Sequence, residues 1–414
     1  MRNKSILCLM MTLIPTMARA AGYYLGEQDA AAQGRGLAVT AKLDSPAVLF
    51  FNPAGMAFLD ALQVQVGATL ALPDFKYSDP KGQRPSESAD LKLTVAPHLY
   101  AFYTFAQKGS VGLGFNSPFG LRLTWPEGFA GESRSAGVDM KMPTVYLAGA
   151  YRPLKWLSVG LSFRVIPATI EMLQRFKAVS DAGDLDWGFA HLAASAVGFG
   201  ASLGLMAVPI EKLHLGFSYL SRVKFDFKNG IAHFGLPDGT SDTSTFHDQE
   251  GSTTMTTPDV MSFGVGYDVN EHLYLEFDYN YTLWSVYDSL AIKFDKDPSG
   301  VLSKPQPKDW RNTSTFRLGG EYRFDQSWAL RLAAIYDQSP APDSTVGPEL
   351  PDSSRAVFCI GGGYRHPKLG LRVDLGYTLV YFLPRTAVTQ DQNPFPATYK
   401  AMAHLFGFSF GLGD

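Results

Sequence analysis

Gly200-Ala201-Ser202-Leu203-Gly204 spells G-x-S-x-G, the arrangement that presents a nucleophilic serine in many hydrolases. The motif works only on a sharp turn from strand into helix. Here Val197, Phe199, Ala201, Leu203 and Leu205 alternate with Gly198, Gly200, Ser202, Gly204 and Met206, and Pro209 follows. Ser202 therefore falls in mid-strand, and no acyl-transfer chemistry is expected of it. Asp295, Asp297, Ser299 and Gly300 imitate the start of a calcium loop, but its twelfth position is Gln306, without the closing carboxylate. A polar turn is the simpler reading. The eight histidines include no H-E-x-x-H pair, and neither Gly264-Val265-Gly266 nor Gly361–Gly363 has the strand–turn–helix setting of a phosphate loop. No catalytic residue, metal site or cofactor is expected, and the protein is not read as an enzyme.

The remaining chemistry lies in charges on small-residue faces: Arg164, Lys224, Glu276, Asp278, Arg317, Glu321, Arg331 and Asp374. Most are expected to pair with one another. Arg164, Arg317 and Arg331 are the candidates for contact with a ligand.

The elements that carry these residues have period two. Leu273, Leu275, Phe277, Tyr279, Tyr281 and Leu283 share a face, opposite Tyr274, Glu276, Asp278, Asn280 and Thr282. The odd positions from Leu371 to Tyr381 repeat the pattern, as do Phe316, Leu318, Tyr322 and Phe324. Such alternation marks strands with one apolar face. The 414 residues are 46% hydrophobic, 18% charged and 13% aromatic, with 40 Gly, 29 Phe and 19 Tyr, enough apolar surface to exclude disorder. A mean hydropathy of −0.04 with scattered charges argues against a helical membrane bundle. A net charge of −3 without a basic tract argues against nucleic acid.

Residues 1–20 read as a signal peptide. Arg2 and Lys4 precede the apolar stretch Ile6–Ile14, and Ala18-Arg19-Ala20 supplies the cleavage site. Cys359 is then the sole remaining cysteine, so no internal disulfide is expected. An exported chain of long strands, with Tyr and Trp ending the apolar faces and Gly and Ser opposite, fits a transmembrane β-barrel. Six short turns alternate with seven long polar connections, among them Gln174–Ala190 and Lys228–Thr256, and together they join fourteen strands. The expected fold is thus an all-β, 14-stranded antiparallel barrel over residues 62–414, in the outer membrane. Residues 21–61, rich in Ala and Gly and without alternation, are expected to plug its lumen as a hatch.

Two interruptions stand out. In Asn52-Pro53-Ala54-Gly55, Pro fixes φ and Gly frees it, which predicts a tight turn with Asn52 capping local amides. In Asn116-Ser117-Pro118-Phe119-Gly120 a proline breaks a strand whose alternation resumes at Leu121. A closed barrel has no edge, so the strand must bulge there.

These fragments also carry a resemblance. Ala21-Gly22-Tyr23-Tyr24-Leu25-Gly26-Glu27-Gln28, Gly34-Arg35-Gly36 and Asn52-Pro53-Ala54-Gly55-Met56 open the series. Asn116–Gly120, Tyr281-Thr282-Leu283-Trp284-Ser285, Tyr336-Asp337-Gln338-Ser339-Pro340 and Leu350–Arg355 continue it. Their order and spacing resemble the FadL/TodX family of outer-membrane transporters for long-chain fatty acids and aromatic hydrocarbons, over essentially the whole chain after the leader. The resemblance implies a monomer with an extracellular apolar groove between the third and fourth loops, an interior pocket, and a kinked third strand opening the wall sideways. It implies passive uptake of a hydrophobic small molecule, with outer-membrane lipid and lipopolysaccharide as surroundings and no cofactor. One or two of Arg164, Arg317 and Arg331 would then neutralise a ligand carboxylate. The competing reading is a general diffusion porin for polar solutes, which needs an open charged constriction and is opposed by the long hatch.

Overall fold

The computed structural model describes residues 22–90, 93–179, 185–238, 246–297, 300, 303–390 and 394–413. The proposed leader and Ser299 lie outside them. The fourteen wall strands are β1 (Leu62–Ser78), β2 (Thr94–Phe105), β3 (Gly109–Thr124), β4 (Gly137–Leu154), β5 (Leu157–Val179) and β6 (Leu185–Ile210). Then come β7 (Leu213–Leu220, continued as Val223–Gly235) and β8 (Gln249–Thr257, continued as Val260–Asp268). The last six are β9 (Leu273–Thr282), β10 (Thr313–Arg323), β11 (Trp328–Asp337), β12 (Arg355–Arg365), β13 (Leu371–Phe382) and β14 (Pro396–Gly413). Each pairs antiparallel with its neighbours, and β1 meets β14 from Gln63↔Gly413 to Ser78↔Thr398, which closes the barrel.

The period-two pattern reappears as an inside and an outside. Leu113, Leu147, Leu161, Phe199, Leu318 and Leu375 are exposed on the outer wall. Near the short turns the outer face carries Tyr103, Tyr151, Trp156, Tyr267, Tyr322 and Trp328, an aromatic girdle of the kind that marks a membrane interface. The opposite face of the strands is buried, its glycines and polar groups included, because residues 22–61 fill the space. Helix α1 (Ala30–Gly34) packs on β11 to β14 and β1, while helix α2 (Val48–Phe51) and the 3₁₀ turn Pro53–Phe58 pack towards β2 to β6.

Two long connections expected from the sequence turn out to be largely strand. Residues 174–179 and 185–190 continue the β5–β6 hairpin, and β7 runs on to Gly235 before β8 begins at Gln249. Beyond the membrane both faces of a hairpin meet water, so alternation fades although the ladder continues. A second correction concerns Lys224. It is 63% exposed and pairs with Asp226 on the outside, whereas the sequence places it in the lumen. His214, Ser218 and Leu220 point inward, but beyond Ser221-Arg222 the inward set is Val223, Phe225 and Phe227. The break in β7 has switched parity, which moves every following side chain to the other face. β8 breaks at the same level, and Asp259 holds both breaks, accepting from Tyr219 Oη (2.6 Å), Arg222 N (2.9 Å) and Arg222 Nε (2.6 Å).

Candidate functional site

The lumen is organised by glycines that let backbone touch backbone. A Cβ on Gly204 would stand 2.2 Å from Asn52 Oδ1, and one on Gly160 would stand 2.3 Å from Ala54 N. Into this space fits the turn Asn52-Pro53-Ala54-Gly55. Asn52 Oδ1 accepts from Ala54 N (3.3 Å), while its Nδ2 donates to Thr40 O (2.8 Å) and to Leu205 O on β6 (3.0 Å). Ser158 Oγ of β5 donates to Ala54 O at 2.8 Å. Asn52 thus joins the turn, a second hatch segment and the wall.

Wall carboxylates hold the other side of the hatch. Asp278 Oδ2 on β9 accepts from the amides of Val39 and Thr40 and from Thr40 Oγ1 (3.0, 3.0 and 2.7 Å). Glu276 accepts from Ala41 N and pairs with Arg35 at 2.6 Å, both side chains almost wholly buried. Two of the inward charges read from the sequence therefore anchor the hatch.

At Asn116–Gly120 the wall is interrupted on both sides of β3. Against β4 the register jumps between Asn116↔Thr144 and Phe119↔Met142, so Ser117-Pro118 opposes a single residue, Pro143. Against β2 the ladder stops at Leu99↔Phe115, and Thr94–His98 pair with β1 alone. Parity switches as well: Val111 and Leu113 face outward, whereas Phe119 and Leu123 are buried within. The partner that β3 loses is replaced from inside. Leu25 N donates to Pro118 O (2.8 Å), Gly120 N donates to Tyr23 O (3.1 Å), and Tyr24 forms an antiparallel bridge with Phe119. Gln28 completes the contact, its Nε2 donating to Ser117 O (3.1 Å) and its Oε1 accepting from Ser117 N (3.2 Å).

The three arginines do not share one site. Arg331 is bound on both sides, to Glu321 (2.7 Å) and Asp374 (2.6 Å), in a charged cavity of about 630 Å³ at the short-turn end. Arg317 donates to Asn280 and lines an internal cavity of about 160 Å³ beside Tyr24, Glu27 and Leu37. Arg164 is wholly buried, its Nη2 donating to Ser221 O (2.7 Å). Neither Arg164 nor Arg317 has a carboxylate at ion-pair distance among the described residues.

A fourth location contains none of the three arginines singled out from the sequence. Between the interrupted strand and the long loops lies an apolar pocket of about 50 Å³, bordered by Tyr23, Met140, Met172, Met255, Tyr287 and Trp310. Tyr23 stands edge-on to Trp284 (4.8 Å between centroids), and Trp310 edge-on to Tyr287 (4.8 Å). Gly22 is obligatory beneath them: its φ is +59°, and a Cβ would meet Trp310 at 2.7 Å. One ion pair borders this pocket, Lys308 Nζ to Glu349 at 2.6 Å, with side chains 6% and 21% exposed. Burial alone would pull the Lys308 ammonium down, but Glu349 and Tyr287 together hold it above its ordinary value. The pair joins residues 41 apart in two irregular loops, where no periodicity could mark it.

The profile of the family described as outer membrane protein transport protein (OMPP1/FadL/TodX) matches residues 11–412. The chain belongs to this family. Its members include transporters of fatty acids and hydrocarbons in the outer membrane, which is where this protein resides. The long-chain fatty acid transport protein of Salmonella typhi is 26% identical over 437 residues, covering 99% of this chain and 98% of its own. Outer membrane protein P1 of Haemophilus influenzae is 24% identical over 460 residues, covering 98% of each. Among solved structures, a FadL homologue of Pseudomonas aeruginosa superposes with a TM-score of 0.85 at 19% identity, covering 95% of this chain and all of that one. The toluene transporter TodX of P. putida gives 0.71 at 16% identity, with 96% and 99% covered. At these identities the structural matches show the fold.

Proposed function

We propose that this FadL/TodX protein carries hydrophobic small molecules passively across the outer membrane and releases them sideways into the bilayer. The observation that carries the reading is the interrupted third strand, whose missing partner is supplied by Tyr23-Tyr24-Leu25 of the hatch. A ladder made with a hatch segment rather than a wall strand can be unmade at the cost of two backbone hydrogen bonds and the two made by Gln28, each worth about 1 kcal/mol net. The wall itself stays intact. In this reading the apolar pocket at the long-loop end captures the ligand by burial, at about 25 cal/mol per Å². Met140, Met172 and Met255 are flexible and yield to a guest larger than the present void. Tyr23 belongs both to the pocket and to the segment bonded to β3, so a ligand that displaces Tyr23 also loosens the contact at Pro118. Hydrophobic cargo leaving beside β3 enters lipid without crossing water.

Antiparallel bridge partners lie about 4.5–5.5 Å apart at Cα, within disulfide reach. The double variant Tyr24→Cys/Phe119→Cys is expected to assemble, to lose uptake of a hydrophobic probe on oxidation, and to regain it on reduction. Uptake indifferent to the cross-link would reject the sideways route.

A further inference from the structure

Lys308 and Glu349 are the charged pair on the border of the apolar pocket, and their charges cancel. From this we infer that the pocket selects uncharged hydrophobes over carboxylates, with Glu349 as the residue that sets the preference. The inference rests on the proposed role of that pocket in capture.

A carboxylate ligand brings a negative charge into a site whose cation is already engaged at 2.6 Å. It must remain unpaired and pay its desolvation uncompensated, or displace Glu349 and leave that group buried alone. An alcohol, ester or hydrocarbon meets neither penalty and keeps the full gain from burial. Arg134 is the other cation whose field reaches Lys308, but it does not border the pocket. Further inside, the cavity that Arg317 lines holds two carboxylates, Glu27 and Asp337, against two cations, Arg317 and Arg355, so its charges also balance.

The test is binding of 1-decanol and of decanoate to the purified full-length protein in detergent at about pH 8, counted by native mass spectrometry. Comparing variants with the same ligand cancels partition into micelles. The wild type should bind decanol more tightly than decanoate. Glu349→Gln frees Lys308 and should raise decanoate affinity by roughly tenfold or more (about 1.4 kcal/mol), with decanol changed less than about twofold. The double variant Lys308→Met/Glu349→Leu, apolar throughout, should keep decanol and bind decanoate least. Equal or tighter binding of decanoate by the wild type, or no gain in Glu349→Gln, overturns the inference and leaves capture standing. Failure of the folded wild type to bind decanol overturns capture itself, and the selectivity with it.

Discussion

Arg331 and Lys308 are both buried cations, yet only one was legible. Arg331 lies on a strand whose alternation assigns it to the lumen, and there it meets Glu321 and Asp374, from strands with the same alternation. Lys308 lies in a loop, where position in sequence says nothing about direction. Asp352, in the loop between β11 and β12, shows what such a loop can hide. Burial pushes its carboxyl up to about 6, against the hydrogen bond donated by Ser339 Oγ at 2.7 Å. An acid raised by folding favours the folded loop while protonated. That contribution is complete below the ordinary carboxylate value and is lost as pH rises through about 6. Segment 338–354 is expected to resist proteases better at about pH 5 than at about pH 8, and Asp352→Asn should flatten the difference. A pH profile unaltered in that variant would assign the effect to another group.

At the scale of elements, what could be read depended on whether a residue announced the break. Pro118 removes a donor inside a strand, so the bulge in β3 was expected from the sequence. Its replacement partner was not, because Tyr23–Leu25 show no alternation and act as a strand only where they touch Pro118 and Gly120. The break in β7 at Ser221-Arg222 has no proline, and reading the alternation straight through put Lys224 on the wrong side. The lumen glycines were visible as every-second-residue repeats, although what they admit was not. Gly204→Leu should therefore leave the barrel assembled, since ladder bonds do not involve the side chain, but evict the Asn52–Gly55 turn. Protease cleavage within residues 46–61 should appear and uptake should fall. Gly362→Ala, where an added Cβ meets open space, is the control and should change neither. Gly204→Leu protein with an uncut hatch and normal uptake would show that the turn can dock elsewhere.

For the whole molecule, fourteen strands followed from the count of turns and loops, and a filled lumen followed from a segment too apolar to stand in water. The filling has an electrical consequence. Arg35–Glu276, Lys42–Asp268 and Arg323–Asp44 tie the hatch to the wall, with Asn52 on the other side. Single channels in planar bilayers are expected to be nearly silent, and removal of residues 22–61 should raise conductance by roughly tenfold or more, as an unfilled barrel of this size conducts. A large basal conductance in the intact protein would favour the porin reading.

The contacts of α1 bear on how such a barrel is held shut. Gln33 Nε2 donates to Leu405 O, and Ala30 N donates to Ser409 Oγ, both on β14. At the helix N-cap, Asp29 Oδ2 accepts from Gln65 Nε2 on β1 at 2.6 Å. The helix therefore straddles the seam where the first and last strands meet. Glycine at 407 leaves no room for error, since a Cβ there would lie 2.0 Å from Gln33 Oε1. The helix is thus an internal clasp: parting the first and last strands would break its bonds to both of them as well as their own ladder.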